Sequence, residues 1–268
     1  VPYPEAKKIL DRMDRLYVAP LKTRTKSMLV VGKPNAGKTS LKNKFLDKYP
    51  AIEAPDGSRT IHGVLHIEAP PKADPRAFCM SILDALGASY GDVSFAVLTN
   101  QVLKLLRETE VKMLVVDEIH NFLTGRRDMK DALMNMVRSI CNVLHISVIA
   151  FGVPSAQQVF VNDAQLSSRF KRVELPAWNA DKKLEPLRKM LASLEQALPL
   201  LKASKLSHKA MARKIAEMSD GILGEVVDIL EEATIEAIET GEEQITIGLL
   251  DSLGWMTPTE REEFQADD

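Results

Sequence analysis

The sequence has no apolar run near the roughly 18 residues that a membrane-spanning helix needs, so no spanning segment is expected. Aromatic residues make up only 5% of the chain, too few for a surface that stacks nucleic-acid bases on rings. Two cysteines, Cys79 and Cys141, cannot build a disulfide framework, and both fall in apolar, helix-patterned stretches. A reducing compartment is the simplest reading. The 13 Gly and 14 Pro are scattered, which excludes collagen-like, mucin-like and low-complexity chains. No internal repeat and no signal-peptide pattern is present. The chain starts at Val1 instead of a Met, so a leader or disordered N-terminal segment is expected ahead of it. Basic residues are nearly absent from one end. Residues 217–268 carry 1 Lys or Arg against 16 Asp or Glu, whereas residues 1–48 carry 12 against 4.

Those opposed ends, +8 and −15, together with +5 from the residues between them, leave a formal charge of −2. They can be two solvated faces. Alternatively, copies of the chain stack basic face to acidic face, with some basic surface left for phosphates. With 45% hydrophobic and 27% charged residues, 268 residues suit one large domain or a core with a small appendage.

Apolar spacing predicts helices over residues 4–17, 38–49, 74–86, 94–108 and 128–142, with Asp74 as a cap and Pro75 at the first helical position. Strands are predicted at 27–32, 63–67, 112–117, 146–152 and 171–175, with a turn-rich stretch at 54–60. Such alternation implies a five-stranded parallel sheet between helices. After Pro176 only helices follow, at 181–194, 207–218 and 222–240. The expected organisation is an N-terminal helical segment (1–26), an α/β core (27–178) and a helical lid with an acidic tail (179–268).

The decisive motif is Gly32-Lys33-Pro34-Asn35-Ala36-Gly37-Lys38-Thr39, followed by Ser40. It fits the phosphate-binding pattern G-x-x-x-x-G-K-[ST] between an apolar strand and a helix. Gly32 and Gly37 let the loop fold tightly, so that backbone N–H groups turn toward phosphate oxygens. The helix beginning at Lys38 adds its positive end. Lys38 suits the β- and γ-phosphates of ATP, and the Thr39 hydroxyl suits Mg²⁺.

Its counterpart is Met113-Leu114-Val115-Val116-Asp117-Glu118, an apolar strand ending in two carboxylates. Asp117 is placed to hold the metal with Thr39, and Glu118 to polarise the water that attacks the γ-phosphate. Adenylate-kinase-type and small GTPase sites need no such neighbouring glutamate, so the pair favours an ATPase. Asp117-Glu118-Ile119-His120 also matches the D-E-x-H box of helicases, but those need two tandem cores and this chain has one phosphate loop.

The order of loop, acidic strand, fourth strand, Ser-Arg-Phe element and helical lid resembles that of AAA+ ATPases. More narrowly, the chain resembles the TniB/TnsC-type transposition ATPases. The matching stretches are Tyr3–Ala6 leading into Leu10–Leu16, then Leu29–Gly32, then Val111–Leu123. Further on come Gln165–Phe170 with Val173–Trp178, and Ser219–Val226. The resemblance implies a homo-oligomeric ring or filament on duplex DNA, in the bacterial cytosol or nucleoid, linking a target-selection protein to a transposase. It places an arginine acting in trans at Arg169, with Arg172 second. It also implies DNA contacts near Lys72 and Arg76, and near Lys104 and Arg107. A helicase-loader-like adaptor and a nucleotide-latched signalling module remain as alternatives.

Two departures from the AAA+ pattern bear on rate. Many relatives end the fourth strand with Asn or Thr to position water, whereas Phe151-Gly152-Val153-Pro154-Ser155 offers no polar side chain before Ser155. Many also carry a lid arginine after a Ser-x-Gly segment, but Ser219–Glu225 contains none. The expectation is therefore a slow, switch-like ATPase. His62, His66, His120, His145 and His208 lack metal-ligand spacing and read as structural or surface residues.

Overall fold

A computed structural model describes residues 4–20, 25–161, 163–178 and 184–266. Five strands pair in parallel: β1 (Ser27–Val31), β4 (Val64–Glu68), β5 (Met113–Asp117), β6 (Ser147–Gly152) and β7 (Phe170–Glu174). Their spatial order is β4-β5-β6-β1-β7. Apart from Ser27, Asp117 and Ser147 at their ends, the three central strands β1, β5 and β6 are apolar throughout, and every one of their residues is buried. A parallel sheet hidden on both faces demands that pattern.

Helices supply the cover. They are α1 (Pro4–Tyr17), α2 (Lys38–Lys48), α3 (Pro75–Ala85), α4 (Phe95–Glu108) and α5 (Arg127–Val143). The α3 start follows the sequence expectation, since the Asp74 carboxylate accepts from the N–H groups of Arg76 and Ala77 and Pro75 opens the helix. Leu29, Val31, Leu114, Val116 and Val148 join Phe78, Ile82, Leu98, Leu106, Val137 and Ile140 in one buried core.

The chain divides into two compact units. One holds Lys8–Gly32 and Lys38–Leu175, and the other Val1–Lys7, Lys33–Gly37 and Pro176–Asp268. In the second unit, α8 (Leu184–Glu195), α9 (Lys209–Met218), α10 (Leu223–Glu239), α11 (Ile247–Ser252) and α12 (Pro258–Ala266) follow one another. Leu187, Leu191, Ile215, Val226, Ile229 and Ala233 are fully buried there.

Several elements differ from the sequence expectation. Residues 54–60 are not a bare turn but the tip of a small hairpin, where β2 (Ile52–Glu53) pairs antiparallel with β3 (Thr60–Ile61). Two 3₁₀ turns, Ile119–Leu123 and Pro154–Gln157, and two one-turn helices, α6 (Gln158–Val161) and α7 (Ala164–Ser167), fill connections that the apolar spacing passed over. Helices α11 and α12 continue past the expected last helix. The helix expected from Asp181 begins at Leu184; residues 181–183, like Tyr3, lie outside the described residues.

Candidate active site

The carboxyl ends of β1, β5 and β6 lie side by side, which is where ligands bind in open α/β sheets. Val31 pairs with Gly152, Val116 with Ala150, and Asp117 with Glu68. The sheet register thus brings Gly32, Asp117 and Gly152 to one edge, although 120 residues of sequence separate the first from the last.

In the loop after β1, Gly37 and not Gly32 takes the glycine-favouring conformation. Gly37 has φ +87°, in the region that favours glycine, and Asn35 has φ +59°. The Asn35 carbonyl accepts from the Gly224 N–H at 2.8 Å. The Asn35 amide donates to Asp228 at 3.2 Å and to Glu225 at 3.5 Å. These contacts explain part of the Ser219–Glu225 segment, because a Cβ on Gly224 would lie 2.0 Å from the Asn35 side chain. Lys33, Pro34 and Asn35 are exposed, while Ala36 is buried.

Lys38, the first residue of α2, is buried, and its ammonium donates to the Gly32 carbonyl at 3.0 Å. Burial pushes its pKa down, while the charges of Glu118 and Asp117 pull it back up. The carboxylate that ends β5 and the one that follows it therefore both act on the lysine of the loop. Thr39 and Ser40 follow on α2, both exposed.

Asp117 ends β5 with 7% exposure. One carboxylate oxygen accepts from the Glu118 N–H at 2.9 Å. The other meets the Lys42 ammonium at 2.6 Å, in an ion pair whose side chains are only 10% and 11% exposed. Lys42 went unnoticed in the sequence. The signal was present, since it stands one turn after Lys38 on the same face of α2, but its partner lies 75 residues away. Thr39 and Asp117 offer the hard oxygen donors that Mg²⁺ prefers, together with phosphates. Among the described residues no cluster of three His, Cys, Asp or Glu makes a separate metal site.

Glu118 has φ +52°, unusual for a residue with a side chain, and that turn directs it away from the line of the strand. Its carboxylate lies 3.1 Å from His120 Nδ1. This is a second residue the sequence reading left aside.

The two candidate arginines sit at the β7 edge. Arg169 is half-buried and bonds the side-chain carbonyl of Asn142 on α5, while its Nη1 is buried with no hydrogen bond. Arg172 bonds Gln157 at 2.7 Å and Glu174 at 3.4 Å, with 41% of its side chain exposed. Of the DNA candidates, Lys72 and Arg107 are exposed. Arg76 is tied down by Asp92 at 3.1 Å and by the Val93 carbonyl. Lys104 lies 3.8 Å from Glu108 on its own helix.

The family described as "Bacterial TniB protein" matches residues 1–180. A search of curated proteins finds no match. Among solved structures, the Cdc6p protein of Pyrobaculum aerophilum superposes with a TM-score of 0.64 at 17% identity, covering 91% of this chain and 64% of that one. The Aeropyrum pernix ORC2 protein, solved as ADPNP-ADP complexes, gives 0.61 at 14% identity, over 93% and 68%. The Aeropyrum pernix ORC1 protein in complex with DNA gives 0.60 at 19% identity, over 98% and 65%. The chain spans about two thirds of these proteins. At such identities they establish the fold, which is that of AAA+ proteins.

Proposed function

Because the chain belongs to the TniB family of bacterial proteins, we propose that it is an ATP-hydrolysing regulator of DNA transposition that assembles on duplex DNA. The observation that carries the ATPase reading is the meeting of α2 and β5. Lys42 bonds Asp117 at 2.6 Å, and the Lys38 ammonium feels both Asp117 and Glu118. A phosphate-loop lysine, a metal-holding aspartate and a water-polarising glutamate thereby share one strand edge. Relatives solved with ADPNP and ADP, and with DNA, support nucleotide and duplex as ligands.

On this reading the N–H groups of residues 32–39, Pro34 excepted, and the start of α2 hold the phosphates. Lys38 exchanges the Gly32 carbonyl for β- and γ-phosphate oxygens. Mg²⁺, held by Thr39 and Asp117, neutralises phosphate charge when bound. Lys42 keeps Asp117 compensated in the absence of that charge. Glu118 accepts a proton from water as the water oxygen bonds to the γ-phosphorus. The bond from that phosphorus to the bridging oxygen breaks, leaving ADP and phosphate.

Arg169, or failing it Arg172, is proposed to complete the site of a neighbouring copy, because a guanidinium stabilises charge spread over the transferring phosphoryl group. Duplex contact is assigned to Lys72, Arg76, Lys104 and Arg107, with Lys72 and Arg107 the freest by exposure. A target-selection protein and a transposase are the proposed partners, on the strength of the family alone. Among the described residues no helix is long and apolar enough to cross a membrane; the nucleoid location is proposed from duplex binding alone.

The test is Glu118→Gln. The amide cannot take the proton, so ATP should still bind while turnover stops, and assemblies imaged on duplex DNA with ATP should persist. Lys38→Ala should instead lose ATP affinity in a titration. Parental hydrolysis by Glu118→Gln, or parental affinity in Lys38→Ala, would refute the reading.

A further inference from the structure

The end of β6 poses a chemical problem. Many AAA+ strands carry Asn or Thr here to orient the attacking water, but β6 ends in Phe151-Gly152 and the next residues are Val153 and Pro154. The structure explains why no side chain stands at 152. A Cβ there would lie 2.8 Å from Ala156 Cβ, 3.2 Å from Ile119 Cγ2 and 3.5 Å from His120 Nδ1. The space is taken by Ala156 of the 3₁₀ turn Pro154–Gln157 and by Ile119 of the 3₁₀ turn Ile119–Leu123, and the polar group that the second turn brings to the strand end is the His120 imidazole.

His120 Nδ1 lies 3.1 Å from Glu118 Oε2. The nitrogen is buried and makes no aligned hydrogen bond, so its angle to the carboxylate is off-line although the distance is right. Glu118 is the more exposed partner, at 41% against 28%. A turn of the Glu118 carboxylate, and not a movement of the packed imidazole, brings the two into line. A ring nitrogen donating to Oε2 leaves Oε1 to accept the proton of water.

We infer that His120 is a positioning residue for Glu118, doing from the 3₁₀ turn what Asn or Thr does from the fourth strand in relatives. Gly152 is its structural counterpart, since a side chain there would press on Ala156 and on Ile119, the residue beside His120 in the turn. The inference rests on Glu118 being the residue that accepts the proton of water, as proposed above. It assigns His120 no contact with nucleotide and no proton of its own to transfer.

His120→Ala should therefore lower kcat about tenfold or more, a part of the roughly 10²–10⁴ that a general base contributes. ATP affinity and melting temperature should stay near the parent. His120→Asn should stay within about threefold of the parent, because its amide nitrogen falls near the position of Nδ1. Combining His120→Ala with Glu118→Gln should be no slower in single turnover than Glu118→Gln alone, since a residue that works through Glu118 has nothing left to orient.

If Glu118→Gln is inactive and His120→Ala keeps or exceeds the parental rate, this inference falls and the ATPase reading stands. If Glu118→Gln itself hydrolyses at the parental rate, the ATPase reading falls and takes the inference with it. If His120→Ala and His120→Asn lose activity equally, or lose it together with ATP affinity or melting temperature, His120 is structural and the inference is overturned.

Discussion

Replacing Lys42 by Met removes one partner of the buried ion pair while keeping most of the side chain's length. Lys42 and Asp117 approach to 2.6 Å with side chains only 10% and 11% exposed. At an effective dielectric of about 20, that separation corresponds to roughly 6 kcal/mol of attraction, much of it spent on taking both ions out of water. Losing the lysine leaves the Asp117 carboxylate buried, with the Glu118 N–H at 2.9 Å to hold it. Breaking such a pair from one side costs about 3–5 kcal/mol. At about 2–4 °C per kcal/mol for a chain of this size, nucleotide-free Lys42→Met should melt about 6–20 °C below the parent.

Adding Asp117→Asn to the same variant removes the stranded charge and should recover at least half of that loss. Saturating ADP with Mg²⁺ should also narrow the gap, because on the proposed reading the metal then compensates Asp117. Thermal melts followed by circular dichroism read all three. A Lys42→Met melt within about 2 °C of the parent would refute the energetic role of the pair. A double variant no more stable than the single one would show that the lysine stem's packing, and not its charge, was lost.

Two further outcomes are expected. Arg169→Ala should keep monomeric ATP affinity but lose hydrolysis, and mixing it with Lys38→Ala should restore turnover above the sum of the two measured apart; no gain on mixing would count against action in trans and move the test to Arg172. His66 sits on β4 opposite Val115, where burial first and the Lys42 charge second hold its pKa below the ordinary value. Its neutral form is the one the fold prefers, so its contribution is intact above about pH 6.5 and fades as pH falls below that. The melting temperature should drop between pH 7.5 and 5.5, and the drop should be smaller in His66→Leu; equal drops would exclude His66 as the source.

The sheet was readable because its strands are buried on both faces. Met28–Val31 and Met113–Val116 are unbroken apolar runs that no amphipathic helix would keep. The phosphate loop was readable because its residues are contiguous. What escaped was short or distant. Ile52–Glu53 and Thr60–Ile61 are two-residue strands, mostly exposed, and they leave no periodic trace. The 3₁₀ turn at Ile119–Leu123 is too brief for a helical repeat, so His120 could not be placed on a face. Lys42 looked like another charged residue of α2 until the fold set β5 beside it. The spatial order β4-β5-β6-β1-β7 is likewise invisible in strand composition, because crossovers decide it.

The departures of this site from the AAA+ pattern fall on one side of the reaction. On the proposed reading, the groups assigned to nucleotide follow the pattern: the loop has Gly37 at φ +87°, and Lys38 and Asp117 are buried. What is altered concerns the water and the transition-state charge. Gly152 ends the strand that elsewhere carries a polar side chain, and Ser219–Glu225 brings no arginine. Binding and hydrolysis draw on different groups, and only groups that act more strongly in the transition state raise the rate. On the proposed reading, a site complete for binding and thin for hydrolysis would hold its nucleotide for long intervals. On the proposed reading, that interval is the time an assembly has on DNA before it resets. The remaining hydrolytic polarity then rests on Glu118, on its contact with His120, and on an arginine that a neighbouring copy must bring. The reset would in that case depend on assembly itself, because an isolated copy lacks the last of those three.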